Sequence, residues 1–276
     1  MFYLIGALLC SSLMTLTLRM TKEQKNSQVM LGVNYLVATL FCFLFLKDKS
    51  VIPASLGMQK TFCIGIINGG LFVGTLLINQ ANIRKNGTAL AAAFSHLGVL
   101  VPVMLSVVFF GETPTGWQWF GVGLSVAAIL LINLVPAGGE KVKYPLLLML
   151  LFLVGGCTDM MNKVVGILQL GEYDNLFLFY TFFMAMIICL VWGLVKKVPL
   201  EKKEILWGIA MGIFNYFSSW LILRAVLILP SYVVYPVYSV GVIILVNIVS
   251  RLYFKEKMSP IQYVCVALIC AAQLFL

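Results

Sequence analysis

The strongest constraint on this chain is a stretch that it contains twice. Residues 88–132 and 232–276 align without a gap when one is slid by 144 positions, and ten of the 45 pairs are identical. Apolar identities carry little weight, because two apolar sequences coincide often. The polar ones carry more: Ser95/Ser239, Ser106/Ser250, Glu112/Glu256 and Gln118/Gln262 all hold one register. Each copy reads as an apolar run, a short turn with a glutamate, and a second apolar run. A repeated apolar hairpin is the signature of a duplicated membrane protein.

The repeat reaches further upstream. At the same offset Arg19 falls on Lys163 and Ala81 on Ala225. Ten apolar runs can be placed, at 2–18, 30–46, 59–79, 88–110, 115–134, 144–165, 174–195, 204–223, 231–253 and 259–276. A hydrocarbon core about 30 Å thick needs roughly 20 residues of helix, close to the length of these runs. Charged residues make up 11% of the chain, against about 25% in a soluble domain. The expected fold is an all-α membrane protein. Its ten transmembrane helices form two inverted five-helix repeats, residues 1–138 and 139–276, in one integrated bundle. Five is odd, so the second repeat enters the membrane from the opposite face, and the pseudo-two-fold axis lies in the membrane plane. The duplication lets one chain form the whole bundle, so a monomer is expected.

The net charge of +9 is carried in short loops, with no compact basic patch to suggest nucleic acid. Alternate loops hold 14 and 5 of the Lys and Arg residues. The positive-inside rule puts the 14 in the cytoplasm and both termini outside the cytoplasmic (inner) membrane. The N-terminus enters an apolar run at once and reads as the first span, without the basic start of a signal peptide. The seven cysteines lie in apolar runs with no Cys-x-x-Cys pair, as buried small hydrophobes do.

Two helix starts are marked by an N-cap residue before a proline, Thr113-Pro114 and Ser259-Pro260. Pro102 and Pro236 fall inside spans four and nine and should kink them. Glycines crowd span three and recur in span eight, where small residues let helix backbones approach closely.

The motif Pro102…Phe110-Gly111-Glu112…Trp117-Gln118-Trp119-Phe120-Gly121 and its copy Phe254-Lys255-Glu256…Ile261-Gln262-Tyr263 sit in this ten-span frame. Together they resemble the EamA-type members of the drug/metabolite transporter superfamily, and the resemblance covers the whole chain. It implies a ten-helix secondary transporter. The membrane glutamate of the small multidrug-resistance branch has no counterpart: Ser11 precedes Arg19 by eight residues and Gly155 precedes Lys163 by eight. Glutamate-based drug/proton exchange is therefore not implied.

Polar residues inside apolar spans are the candidates for a solute path, because each must find a partner or a wet cavity. In span three Asn68, Thr75, Asn79 and Asn82 share one helical face. Asn68 and Thr75 are read as cavity residues, with interhelical hydrogen bonding as the competing role. In span eight Asn215, Tyr216, Ser219, Trp220 and Arg224 lie on neighbouring faces, where aromatic rings could hold a cation. An interfacial belt explains Trp220 and Arg224 equally well. Tyr235, Tyr238 and Ser239 on span nine extend the candidate wall. His96, the single histidine, completes the substrate set, against a hydrogen-bonded structural role. Asp159 is the one acid well inside a span, with Lys163 four residues on in the favourable order for a helical ion pair. The two are candidates for coupling, with a local ion pair as the alternative. Glu112 and Glu256 sit in turns and should organise helix ends.

There is no phosphate-cradling glycine loop and no constellation for zinc or nucleophilic catalysis, so an enzyme and a cofactor or metal requirement are not expected. The expected function is secondary active transport of a small polar metabolite, an amino acid or related solute. Alternating access would rock the halves about a cavity lined by spans three, four, eight and nine. Two alternatives stand beside it: transport of organic cations such as quaternary amines, and a non-transporting membrane scaffold or lipid-binding subunit. The expected partners are a small-molecule substrate and the lipid bilayer.

Overall fold

A computed structural model of the chain describes residues 1–20, 27–46, 49–86, 88–134, 143–196 and 202–254, with 264, 267, 268, 271 and 275 beyond them. Among the described residues the regular structure is all helical. In order the helices are α1 (Phe2–Met20), α2 (Ser27–Leu44), α3 (Leu56–Asn86), α4 (Thr88–Leu97), α5 (Leu100–Phe110), α6 (Gly116–Leu134), α7 (Pro145–Ile167), α8 (Asp174–Lys196), α9 (Lys202–Ile228) and α10 (Ser231–Phe254). A single 3-10 turn at Gly171–Tyr173 leads into α8. The expected span at 259–276 lies almost entirely outside the described residues, as do Glu256 and the Ser259-Pro260 cap.

Four helical stretches, Leu56–Asn86, Pro145–Ile167, Gly171–Val195 and Lys202–Ile228, are long and apolar enough to cross a membrane. Shorter apolar helices accompany them. The core is apolar, but the surface is apolar as well and several polar side chains are buried. Phe2, Leu146 and Leu194 are about four-fifths exposed, whereas Asn34, Asn68 and Asn82 are buried. Lipid takes the place of water around such a surface, and polar side chains turn inward to find partners.

The chain divides into two compact units, and these are not the two sequence halves. One unit comprises Met1–Val73 and Val164–Leu227, the other Gly74–Lys163 and Ile228–Leu276, so each draws on both halves. The boundaries fall within α3, within α7 and at the last residue of α9.

The first unit is built on α2 against α8, where the Tyr35 and Phe182 rings stack at 6.2 Å. Two glycine-lined approaches flank this pair. A Cβ on Gly69 of α3 would lie 2.5 Å from the Thr181 carbonyl oxygen of α8. One on Gly212 of α9 would lie 2.7 Å from the Asn34 carbonyl oxygen of α2. Glycine permits these backbone contacts where apolar attraction between helices is weak.

In the second unit α4 packs on α6, and α10 on α5 and α6. The expected kink at Pro102 is instead a break between α4 and α5 at Gly98–Val99. Proline lacks the N–H that the Gly98 carbonyl would accept four residues on, and its ring crowds that oxygen. The Val101 N–H takes the Gly98 oxygen at 2.9 Å and closes a tighter turn. α10, by contrast, runs as one helix through Pro236. Thr113-Pro114 does not start α6: the helix opens two residues later, on a capping box of Thr115 and Gln118. The Gln118 side chain accepts the Thr115 N–H at 2.9 Å and Thr115 Oγ1 accepts the Gln118 N–H at 3.4 Å.

Candidate functional site

The polar stripe of α3 is divided between the units; Asn68, Thr75 and Asn82 bond to neighbouring helices, while Asn79 keeps a buried Oδ1 without a partner among the described residues. In the first unit Asn68 Nδ2 donates to Thr181 Oγ1 at 3.3 Å, while its Oδ1 is buried without a partner among the described residues. In the second unit the Thr75 and Thr158 hydroxyls share a hydrogen bond at 3.1 Å. Asn82 Nδ2 donates to the Leu147 carbonyl at 2.8 Å. Asn86, one turn further, accepts the Lys143 and Tyr144 N–H groups at the start of α7. Asparagine at a helix end can satisfy otherwise orphaned amides in this way.

The remaining first-unit candidates lie on α9 and separate into two groups. Towards the middle of the helix, Asn215 Nδ2 donates to Asn34 Oδ1 of α2 at 3.2 Å, and the Ser219 hydroxyl donates to Asn215 Oδ1 at 3.5 Å. Asn34 Nδ2 has no partner among the described residues. Tyr216, Trp220 and Arg224, spaced by one turn each, converge on the first turn of α8. The Trp220 indole N–H donates to Asp174 Oδ2 at 3.0 Å. Arg224 Nε lies 2.6 Å from the same oxygen, an ion pair whose N–H is not aligned as a hydrogen bond. The guanidinium sits over the Trp220 ring, 5.6 Å from its centroid. Asp174 Oδ1 accepts the Asn175 N–H at 2.7 Å, and Asn175 Oδ1 accepts the Tyr216 hydroxyl at 2.9 Å. A carboxylate in the first turn of a helix also complements the helix dipole.

This cluster changes the meaning of the aromatic residues. The Tyr216 ring stacks on Phe45 at 5.7 Å, and Trp220 meets Tyr3 edge-on at 6.2 Å. The cation over the indole is the chain's own arginine. Asp174 and Asn175 were not among the residues singled out from the sequence, because they open the apolar run 174–195 at its edge, where a polar residue needs no buried partner. The signal that could have found them was Asp174 itself, opening the helix after Gly171-Glu172-Tyr173.

The second-unit candidates form two groups as well. His96 Nδ1 and Ser239 Oγ of α10 are 3.2 Å apart and share a hydrogen bond. The Tyr235 hydroxyl donates to the Asp159 backbone carbonyl at 2.5 Å, and Tyr238 is half-buried on the same helix. Lys163 does not pair with Asp159, one turn back on α7. Among the described residues its ion pair is with Glu112. Glu112 follows Gly111, whose left-handed backbone (φ 67°) ends α5 and turns the chain. The same carboxylate accepts the Ser231 N–H at 3.0 and 3.2 Å, where α10 begins. Glutamate in this turn thus organises helix ends. The intrahelical pair loses because Glu112 already stands at the α10 N-terminus, where a carboxylate is favoured. A lysine near its helix end can extend to meet it.

The family model of EamA-like transporters matches residues 1–134 and again 144–276. The chain belongs to the EamA-like transporter family. This family lies within the drug/metabolite transporter superfamily and, with the apolar helices, makes the chain a multi-pass membrane protein of the transporter type. The EamA membership points to a transporter rather than an enzyme. The chain is similar to an uncharacterized protein of Haemophilus influenzae, 24% identical over 278 residues, with 95% of this chain and 93% of that one covered. It is also similar to the uncharacterized protein MJ1333.1 of Methanocaldococcus jannaschii, 30% identical over 113 residues. That match covers 40% of this chain and 80% of the archaeal one, which is about half as long. A solved crystal structure shares the fold with a TM-score of 0.80 at 13% identity, over 99% of this chain and 94% of the other.

Proposed function

We propose that this EamA-family chain is a secondary active transporter that moves a small polar metabolite, an amino acid or related solute, by alternating access across the cytoplasmic membrane. The observation that carries the reading is the family match, taken with polar side chains buried inside apolar helices. Asn34 and Asn68 each keep one buried amide atom without a partner among the described residues. Such groups are costly in a lipid-facing protein unless something polar visits them. Asn68, Thr75, His96, Asn215, Tyr216, Ser219, Trp220, Tyr235, Tyr238 and Ser239 are the residues assigned to solute handling.

The architecture behind this reading is ten spans in two inverted five-helix repeats, both termini extracytoplasmic, acting as a monomer. Under the 144-residue offset α2 corresponds to α8 and α3 to α9, so the approaches of α3 to α8 and of α9 to α2 join equivalent helix pairs, with Gly69 and Gly212 one residue out of register. The two-part family match and the half-length archaeal relative favour the same duplication.

Uptake of a labelled amino-acid panel into proteoliposomes with an imposed pH gradient tests the proposal. Gradient-driven accumulation of at least one solute is expected. A flat response across amino acids, sugars and nucleosides would remove it and favour a scaffold. Asp159→Asn should leave accumulation intact if Asp159 is structural, and should abolish accumulation but spare solute exchange if it couples protons. Transport of organic cations is the weaker reading, because Arg224 occupies the Trp220 face that a cation would need.

A further inference from the structure

Asp174 and Arg224 stand in the wall of a pocket of about 570 Å3 within the first unit, whose lining also includes Phe45, Met58, Glu172 and Asn175. Ligand sites have this order of size and this mixture of apolar wall with a few convergent polar groups. The class of ligand follows from which donors and acceptors are already engaged. Asp174 is fully engaged: its two oxygens take the Trp220 indole N–H, the Asn175 N–H and the Arg224 charge. Arg224 is not. It faces Asp174 through Nε and Trp220 through its flat face, and its two terminal nitrogens have no partner among the described residues. Asn175 has its Oδ1 taken by Tyr216, which leaves its Nδ2 as a donor at the same wall.

The unengaged groups of Arg224 and Asn175 are therefore donors. A guanidinium fork matches a planar carboxylate, and the stacking on Trp220 holds the fork in place before a ligand arrives. Glu172 is exposed in the lining, and its charge opposes every anion in the pocket; solvent weakens that repulsion, so one carboxylate held directly by the Arg224 fork is accommodated where a second would not be. Phe45 and Met58 supply apolar surface for a short hydrocarbon chain.

We propose that this pocket binds a small organic monocarboxylate, with Arg224 and Asn175 holding the carboxylate and the Phe45 and Met58 side chains lining its apolar body. The site stands independently of the transport reading, because binding is an equilibrium property of the purified full-length protein in detergent.

The test is calorimetric titration with three probes of one shape: 4-methylpentanoate, its uncharged amide 4-methylpentanamide, and isopentylamine. The carboxylate is expected to bind, the amide at least tenfold more weakly, and the amine without measurable heat. The double substitution Asp174→Asn/Arg224→Gln removes both charges together and leaves no lone buried ion. It should weaken carboxylate binding at least tenfold while the melting temperature of the unliganded protein changes little. Asn175→Ala should weaken it by a few fold. Amide binding as tight as the carboxylate overturns the proposal, and so does a folded double variant that binds the carboxylate like wild type. Absence of carboxylate binding at millimolar concentration overturns it too. Should the double variant fail to fold, the carboxylate-to-amide ratio on the wild-type protein decides alone.

Discussion

Two carboxylate–cation pairs among the described residues, Glu112–Lys163 in the second unit and Asp174–Arg224 in the first, are used differently. In the second unit Glu112 joins the Lys163 ammonium to the Ser231 amide, so its oxygens bind the chain itself on both sides. In the first unit Asp174 is as thoroughly engaged, but its cation is an arginine with donors to spare beside a pocket. An ammonium is a compact point charge that one carboxylate can satisfy, whereas a guanidinium presents five N–H donors in a plane. The choice of lysine or arginine thus separates a staple from a group that can still bind.

The largest expected effect comes from breaking the first-unit pair on one side only. Asp174→Ala leaves Arg224 without its counter-charge and the Trp220 N–H without an acceptor. Loss of one partner of a buried pair costs 3–5 kcal/mol, and the partial exposure of Arg224 puts this case at about 3 kcal/mol. Denaturation in detergent measures it; a loss under 1 kcal/mol would show that the pair is no more than a surface contact.

Next comes the staple. Glu112→Ala removes an ion pair and the acceptor at the start of α10, and about 2 kcal/mol is expected. Glu112→Gln keeps the acceptor and loses the charge, so roughly half of that loss should return.

A double-mutant cycle then asks which acid Lys163 answers to. Coupling of about 1 kcal/mol is expected between Glu112→Gln and Lys163→Met, and coupling near zero between Asp159→Asn and Lys163→Met. The reverse ranking would restore the intrahelical pair.

The smallest effect is expected where no charge is involved. Asn68→Ala deletes its hydrogen bond to Thr181, and interhelical bonds of this kind average about 0.6 kcal/mol. A loss close to that value with unchanged solute affinity assigns Asn68 to packing. A fall in affinity with the stability kept assigns it to the solute path.

The sequence alone determined the elements, because hydrocarbon leaves a spanning backbone little choice. Every internal amide must be satisfied within its own segment, so an apolar run of some 20 residues is a helix whatever surrounds it. That is why the expected spans that fall within the described residues coincide with helices, the fourth as the broken pair α4 and α5. The role of Glu112 was legible too, since an acid in a tight turn has few uses other than at helix ends.

Tertiary structure decided the partners. Lys163 has an acid one turn away in sequence, yet it pairs with one 51 residues distant. Asp174 reads only as the first residue of a span until α9 brings Trp220 and Arg224 against it. Pro102 predicts a bend, but where the helix yields depends on the Gly98 carbonyl, which the Val101 N–H then takes. In each case a local rule lists the groups able to interact, and the winner is set by which helix end packs nearby. Periodicity records which face of a helix is apolar. It carries no record of which distant side chain will stand opposite a given charge, because that depends on how helices far apart in sequence are packed.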